Sequence, residues 1–139
     1  MGDVNTIRTV LLTGGAGYIG TVLAELLLER GYQVIVLDRF FFGRTLSHLE
    51  GSRSLTLVKD DVRTFNAELL NGVDAVIDLA ALSNDPAGEL DPEKTFNINF
   101  RGRLGWLGLP KNVASSAISW PLRAAFMAFR TGYWTRHRL

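Results

Sequence analysis

The sequence predicts an α/β fold built on a parallel sheet, and three observations predict it. Strand-length apolar runs alternate with helix-patterned segments through the first hundred or so residues. The first run enters a turn carrying Gly14, Gly17 and Gly20, spaced three apart. The second run closes on an acid, Asp38, eighteen residues after the last of those glycines.

Each element follows from local pattern. Strand one is expected at about Arg8–Thr13. The helix after it, Tyr18–Arg30, carries Ile19, Val22, Leu23, Leu26 and Leu27 on one side, with Gly31 as its stop. Strand two is Gln33–Asp38, followed by the aromatic loop Phe40-Phe41-Phe42-Gly43, which reads best as core packing, and a short helix around Thr45–Glu50. Strand three covers about Ser54–Val58, a second short helix Phe65–Leu70, and strand four Ala75–Leu79. Strand four is nearly all apolar, as expected when both faces are covered. Asp91 and Pro92 then suit the N-cap and first position of a helix running to about Gly102. Strands alternating with helices imply right-handed crossovers, spatial order 3-2-1-4, and helices on both faces.

Strand, glycine turn, helix and a second strand ending in an acid make a dinucleotide-binding βαβ unit of the Rossmann type. Gly14 lets the backbone turn, Gly17 admits a pyrophosphate close to the main chain, and Gly20 lets the helix pack down. The amides opening the helix face the phosphates, and Asp38 accepts from the adenosine ribose hydroxyls. Arg39 directly follows that acid and could pair with a 2′-phosphate, which Asp38 would repel. NAD is therefore expected over NADP.

Composition narrows the class. At 139 residues the chain fits one ordinary domain, and 47% hydrophobic residues can fill a core. The absence of cysteine rules out disulfides and thiolate metal sites and fits a reducing, cytoplasmic setting. No uninterrupted apolar run has the length of a spanning helix, and the N-terminal residues lack a signal-peptide layout. Residues 1–102 hold all 14 acids and 9 of the 15 Lys and Arg, whereas 103–139 hold six basic residues, no acid and all three tryptophans. That basic tail could be read as binding a membrane surface or nucleic acid. Its charge is sparse and Pro110 and Pro121 interrupt it, so neither partner is expected. No oligomeric state is legible.

From Thr13-Gly14-Gly15-Ala16-Gly17-Tyr18-Ile19-Gly20 onward, the chain resembles the extended short-chain dehydrogenase/reductase family, the NAD-dependent sugar epimerases and dehydratases. Asp61-Val62 resembles the family's pair after strand three, where the carboxylate meets the adenine amino group. Leu79-Ala80-Ala81 is similar to the small-residue strand end over which the cofactor passes, and Asn97-Ile98-Asn99-Phe100-Arg101-Gly102 to its N-x-x-G helix, with Asn99 the carried-over asparagine. The resemblance covers residues 7–102. It implies cofactor contacts from Gly14, Gly17, Tyr18, Ile19, Gly20, Asp38, Arg39, Asp61, Val62, Leu79, Ala80, Ala81 and Asn99. Asp78 departs from it, standing where many members have histidine.

The family's chemistry needs a Tyr-x-x-x-Lys pair, the tyrosine as acid/base and the lysine lowering its pKa. Here Tyr18, Tyr32 and Tyr133 are followed four residues on by Val22, Val36 and His137, so no catalytic residue is assigned and the chain is expected to be inactive as it stands. A nucleotide-sugar substrate is implied only for a full-length relative. Residues 103–139 are expected to be out of frame. Shifting the frame by one base permits the family's fifth strand and serine motif. The single codons of Trp and Met force Ala at Trp120-Pro121, Gly at Met127-Ala128 and Asp at Trp134-Thr135. This tail is expected to be irregular or helical, leaving strand four as an open edge. The alternative reading is a non-catalytic dinucleotide module or sensor whose tail closes that edge.

Overall fold

The computed structural model describes residues 7–82, 91–101 and 117–119. Its sheet has the order β3-β2-β1-β4-β5, with every pair parallel. The strands are β1 Thr9–Thr13, β2 Gln33–Asp38, β3 Leu55–Lys59, β4 Ala75–Asp78 and β5 Ala117–Ser119. The helices are α1 Tyr18–Glu29 and α2 Pro92–Phe96. The expected order 3-2-1-4 is present, and in-register pairs such as Thr13 with Leu37 and with Asp78 align the carboxyl ends of the central strands.

Alternation along the central strands divides the core between two faces. Leu12, Val34 and Val36 pack with Ala16, Ala24 and Leu46 on the α1 side, joined by Leu23 and Leu27. Leu11 and Leu37 pack with Leu70, Val73 and Val76 on the other side. Leu11, Leu12, Val36 and Leu37 are wholly excluded from solvent, each side chain contributing about 1.5–3 kcal/mol.

Both short helices between strands are single 3₁₀ turns, Ser47–Leu49 and Ala67–Leu70. Segments this short cannot repay α-helix nucleation, and Gly43, Gly51 and Gly72, all at positive φ, bracket them. The second turn and its flanks, rather than a full helix, cover the second face among the described residues. Asp91 caps α2, accepting from the Lys94 amide at 2.9 Å, with Pro92 in the first turn. Beyond Phe96 the helix widens into one π-type turn, Asn97–Arg101.

Three expectations are corrected. The apolar arc of α1 is wider than its buried face: Gly20 and Ala24 are buried, while Ile19, Val22 and Leu26 are 54%, 57% and 41% exposed. Of the aromatic loop only Phe40 packs against the core. Phe41 and Phe42 are exposed, because Phe40, at φ 55°, turns the chain outward into a bond from the Gly43 amide. The outer edge of β4 is not open, since Val76, Ile77 and Asp78 pair with Ala117, Ile118 and Ser119. Strand pairing is made by backbone groups, so a segment of three residues is enough to begin covering that edge. The rest of the tail lies outside the described residues.

Candidate cofactor site at the carboxyl end of the sheet

The glycine turn is held by the strands beneath it. Gly14 has φ +66°, donates to the Leu37 carbonyl at 2.9 Å, and leaves no room for a side chain: a Cβ would stand 2.7 Å from the Ala80 nitrogen. A Cβ on Gly20 would lie 2.3 Å from the Gly14 carbonyl oxygen, so this glycine seats α1 on the turn itself. Gly17 differs. Its Cβ would meet only the Gly14 oxygen, at 3.2 Å, and otherwise project into open space. Gly17 is also the N-cap of α1, with no side chain capping the helix. The first-turn amides of Tyr18, Ile19 and Gly20 have no intrahelical acceptor. The Tyr18 side chain is 95% exposed beside them. This is a surface that can receive an anion.

Asp38, at the end of β2, ties the turn to the next loop. Its Oδ2 accepts from the Ala16 amide at 3.0 Å and its Oδ1 from the Phe40 amide at 2.7 Å. An ionised carboxylate has about four acceptor positions, and among the described residues these two bonds fill two of them. The Thr45 hydroxyl donates to the Ala16 carbonyl at 2.9 Å, fixing the same turn from the other side.

One strand further out, Asp61 is in a different state. Oδ1 accepts from the Arg63 amide and Nε, both at 2.9 Å, and Oδ2 accepts from Arg63 and Arg39 guanidinium nitrogens, both at 2.6 Å. The Arg63 side-chain bonds hold this carboxyl well below the usual carboxylate range, against the opposing effect of partial burial; the Arg63 amide and Arg39 add to the lowering. Arg39 also lies over the Phe41 ring, 5.1 Å from its centroid. Val62 packs against the second core cluster.

At β4 the floor of the site is a buried polar contact. The fully buried Thr13 hydroxyl donates to the Asp78 carboxylate and lies 3.4 Å from the Ala80 amide. The Leu79 amide bonds the Thr13 carbonyl at 3.1 Å. Asn99, buried in the π-type turn, clasps the chain leaving β4: Oδ1 accepts from the Leu82 amide and Nδ2 donates to the Leu82 carbonyl, both at 2.9 Å. Ala81 lies half-buried between these fixed points.

The residues expected from sequence therefore converge in two groups. Gly14, Gly17, Tyr18, Ile19, Gly20 and Asp38 surround the α1 N-terminus, with Arg39 and Asp61 beyond Asp38. Leu79 and Ala80 press on Gly14, and Asn99 acts through Leu82. Sequence reasoning missed Thr13, Gly15, Ala16 and Arg63. A Cβ on Gly15 would lie 2.7 Å from a Val36 methyl. Thr13, a hydroxyl ending an apolar strand, was the one visible signal; the others act through backbone or through a partner's geometry.

A family model described as the NAD dependent epimerase/dehydratase family matches residues 10–108. The chain belongs to that family. The match runs past Gly102, where the composition changes. UDP-glucuronic acid decarboxylase 1 of Arabidopsis thaliana is 37% identical over 108 residues, 76% of this chain and 24% of that protein. The Danio rerio protein of the same name is 36% identical over 110 residues, 78% of this chain and 26% of its own. The chain thus spans about a quarter of the length of these relatives. Among solved structures, an NAD-dependent NDP-hexosamine 5,6-dehydratase involved in tunicamycin biosynthesis superposes with TM-score 0.68 at 26% identity, over 81% of this chain and 36% of that one. A UDP-glucose-4-epimerase from Stenotrophomonas maltophila, with bound NAD and formylated UDP-arabinopyranose, gives TM-score 0.67 at 25% identity over the same shares. Among the described residues no helix is long and apolar enough to cross a membrane.

Proposed function

We propose that the chain binds NAD and is the cofactor-binding portion of a nucleotide-sugar epimerase/dehydratase-like oxidoreductase, without turnover of its own as it stands. The observation that carries the reading is the uncapped N-terminus of α1, opened by Gly17 and flanked by Asp38 with two acceptor positions left. The pyrophosphate lies over Gly17 and the first-turn amides of α1. The ribose hydroxyls donate to Asp38, which repels a 2′-phosphate and so favours NAD over NADP. The base lies beyond, by Asp61 and Val62, and the nicotinamide half crosses Leu79, Ala80 and Ala81, whose position Asn99 sets. When bound, NAD supplies a hydride acceptor. These 139 residues hold no Tyr-x-x-x-Lys pair to move the accompanying proton, a contribution worth about 10²–10⁴ in rate.

In this reading residues 1–102 are the dinucleotide-binding unit, residues 103–139 are read out of frame, and the setting is cytoplasmic. One observation favours a second reading, a non-catalytic dinucleotide module or sensor: β5, from the tail as written, covers the edge of β4. Resequencing the coding DNA separates the two. A one-base shift near Gly102 that restores the serine motif and a later Tyr-x-x-x-Lys pair supports the first. A confirmed short frame supports the second. Turnover of a nucleotide sugar by the 139-residue chain, abolished by a point change within it, overturns the claim of inactivity.

A further inference from the structure

In the cofactor reading above Asp61 is the carboxylate beside the base, and Arg63 and Arg39 already fill its acceptor positions. A dinucleotide lying on the glycine turn with its ribose at Asp38 directs its base toward the end of β3, where the Asp60 amide bonds the Asp38 carbonyl at 3.1 Å and Asp61 follows. A carboxylate there accepts from a purine 6-amino group, whereas a 6-oxo purine presents it with an oxygen that it repels and leaves N1–H as the donor on that edge. Three of the four acceptor positions are held by Arg63, two residues away in the chain, through its amide, Nε and a terminal nitrogen. The fourth is held by Arg39, which comes from the end of a different strand, makes one bond at 2.6 Å, and has a side chain 46% exposed. Arg63 is bound by its own backbone to the carboxylate it chelates. Arg39 is the partner a base can displace.

We propose that Arg39 is a specificity-determining residue, competing with the purine base for Asp61 Oδ2 and thereby flattening the preference for an amino-purine over an oxo-purine dinucleotide. An adenine amino group must displace the Arg39 guanidinium to reach Oδ2, whereas a 6-oxo group meets that guanidinium as a donor already in place. The Phe41 ring, beneath the guanidinium, holds Arg39 at this position. The inference rests on the cofactor reading above and deepens it.

The test is calorimetric titration of the full chain with NAD and with nicotinamide hypoxanthine dinucleotide, which differ only at the purine edge. Each variant's ratio of dissociation constants cancels its effects on phosphate and ribose binding. In the wild type the two constants are expected within about threefold. In Arg39→Ala, and independently in Arg39→Gln, the preference for NAD is expected to rise about threefold to fivefold, the range that losing one partly exposed ion pair allows. An unchanged ratio in both variants overturns the inference while leaving the cofactor reading standing. Failure of the wild type to bind either dinucleotide overturns that reading, and the inference with it.

Discussion

Asp38 ends β2, Asp61 lies two residues beyond β3, and Arg39 stands near both, yet their surroundings make them different groups. Asp38 is bound by two backbone amides that belong to the turn it supports, and it keeps acceptor capacity for a ligand. Asp61 is bound by the Arg63 amide and by two guanidiniums that are themselves partly exposed, and among the described residues these four bonds fill its acceptor positions. The first arrangement is part of the fold, because the buried Ala16 amide has no replacement for its acceptor. The second is a solvent-facing ion-pair cluster that can exchange partners at small cost. Two carboxylates at the carboxyl ends of adjacent strands thus divide into a fixed anchor and an adjustable contact.

The largest expected effect tests whether the turn under Asp38 is as rigid as this comparison requires. Gly20→Ala forces a Cβ to 2.3 Å from a backbone oxygen and should lower stability by about 3 kcal/mol or unfold the chain. Gly17→Ala, with its nearest atom at 3.2 Å, should cost under about 1 kcal/mol while weakening dinucleotide binding. Equal losses of thermal stability in the two would break the distinction between a packing glycine and a ligand-facing one. Next, Asp38→Ala leaves a buried amide without its acceptor and should cost about 2 kcal/mol in denaturant unfolding. It should also narrow the preference for NAD over NADP. A third variant, Thr13→Val, keeps the shape of the buried side chain but removes the hydroxyl that donates to Asp78. A loss of about 1–2 kcal/mol is expected, and a neutral result would show that this contact does not fix the β4 end.

The smallest effect sharpens the other side of the comparison. Because Asp61 is held ionised in the folded chain, its contribution is present above the ordinary carboxylate pKa of about 4 and is lost as pH falls toward the depressed folded value. Asp61→Asn should therefore be less stable than wild type at neutral pH by under about 1 kcal/mol, given the exposure of both arginines. The gap should close on acidification below about pH 4. A gap that widened with acid would mean that Asp61 is not the stabilised anion described.

Much of this was legible in the residues. Order 3-2-1-4, β2 to the residue, the Asp91–Pro92 start of α2 and the role of Gly14 follow from spacing and from what each residue type permits. Three things were not legible, each for a physical reason. Ile19, Val22 and Leu26 share a helical stripe with residues that are buried, and periodicity cannot say how much of an apolar arc a sheet will cover. Phe41 and Phe42 are apolar, but a single positive-φ residue ahead of them turns the chain outward. The strand Ala117–Ser119 carries no strong strand signature because its pairing is dictated by the exposed backbone edge of β4. The tight packing at Gly14 and Gly20, and the place of Asp38 at the end of β2, could be read from sequence. The saturation of Asp61 could not, because it depends on Arg39 and Arg63 converging on one carboxylate from different loops.

The central claim is that the open face of Gly17 and the first-turn amides of α1 hold the pyrophosphate of NAD. Calorimetric titration of NAD into wild type and Gly17→Val tests it most directly, with circular dichroism to confirm that both are folded. The account predicts saturable one-to-one binding by the wild type and none by folded Gly17→Val, whose branched side chain fills the phosphate's place. Equal NAD affinity in the two would contradict it.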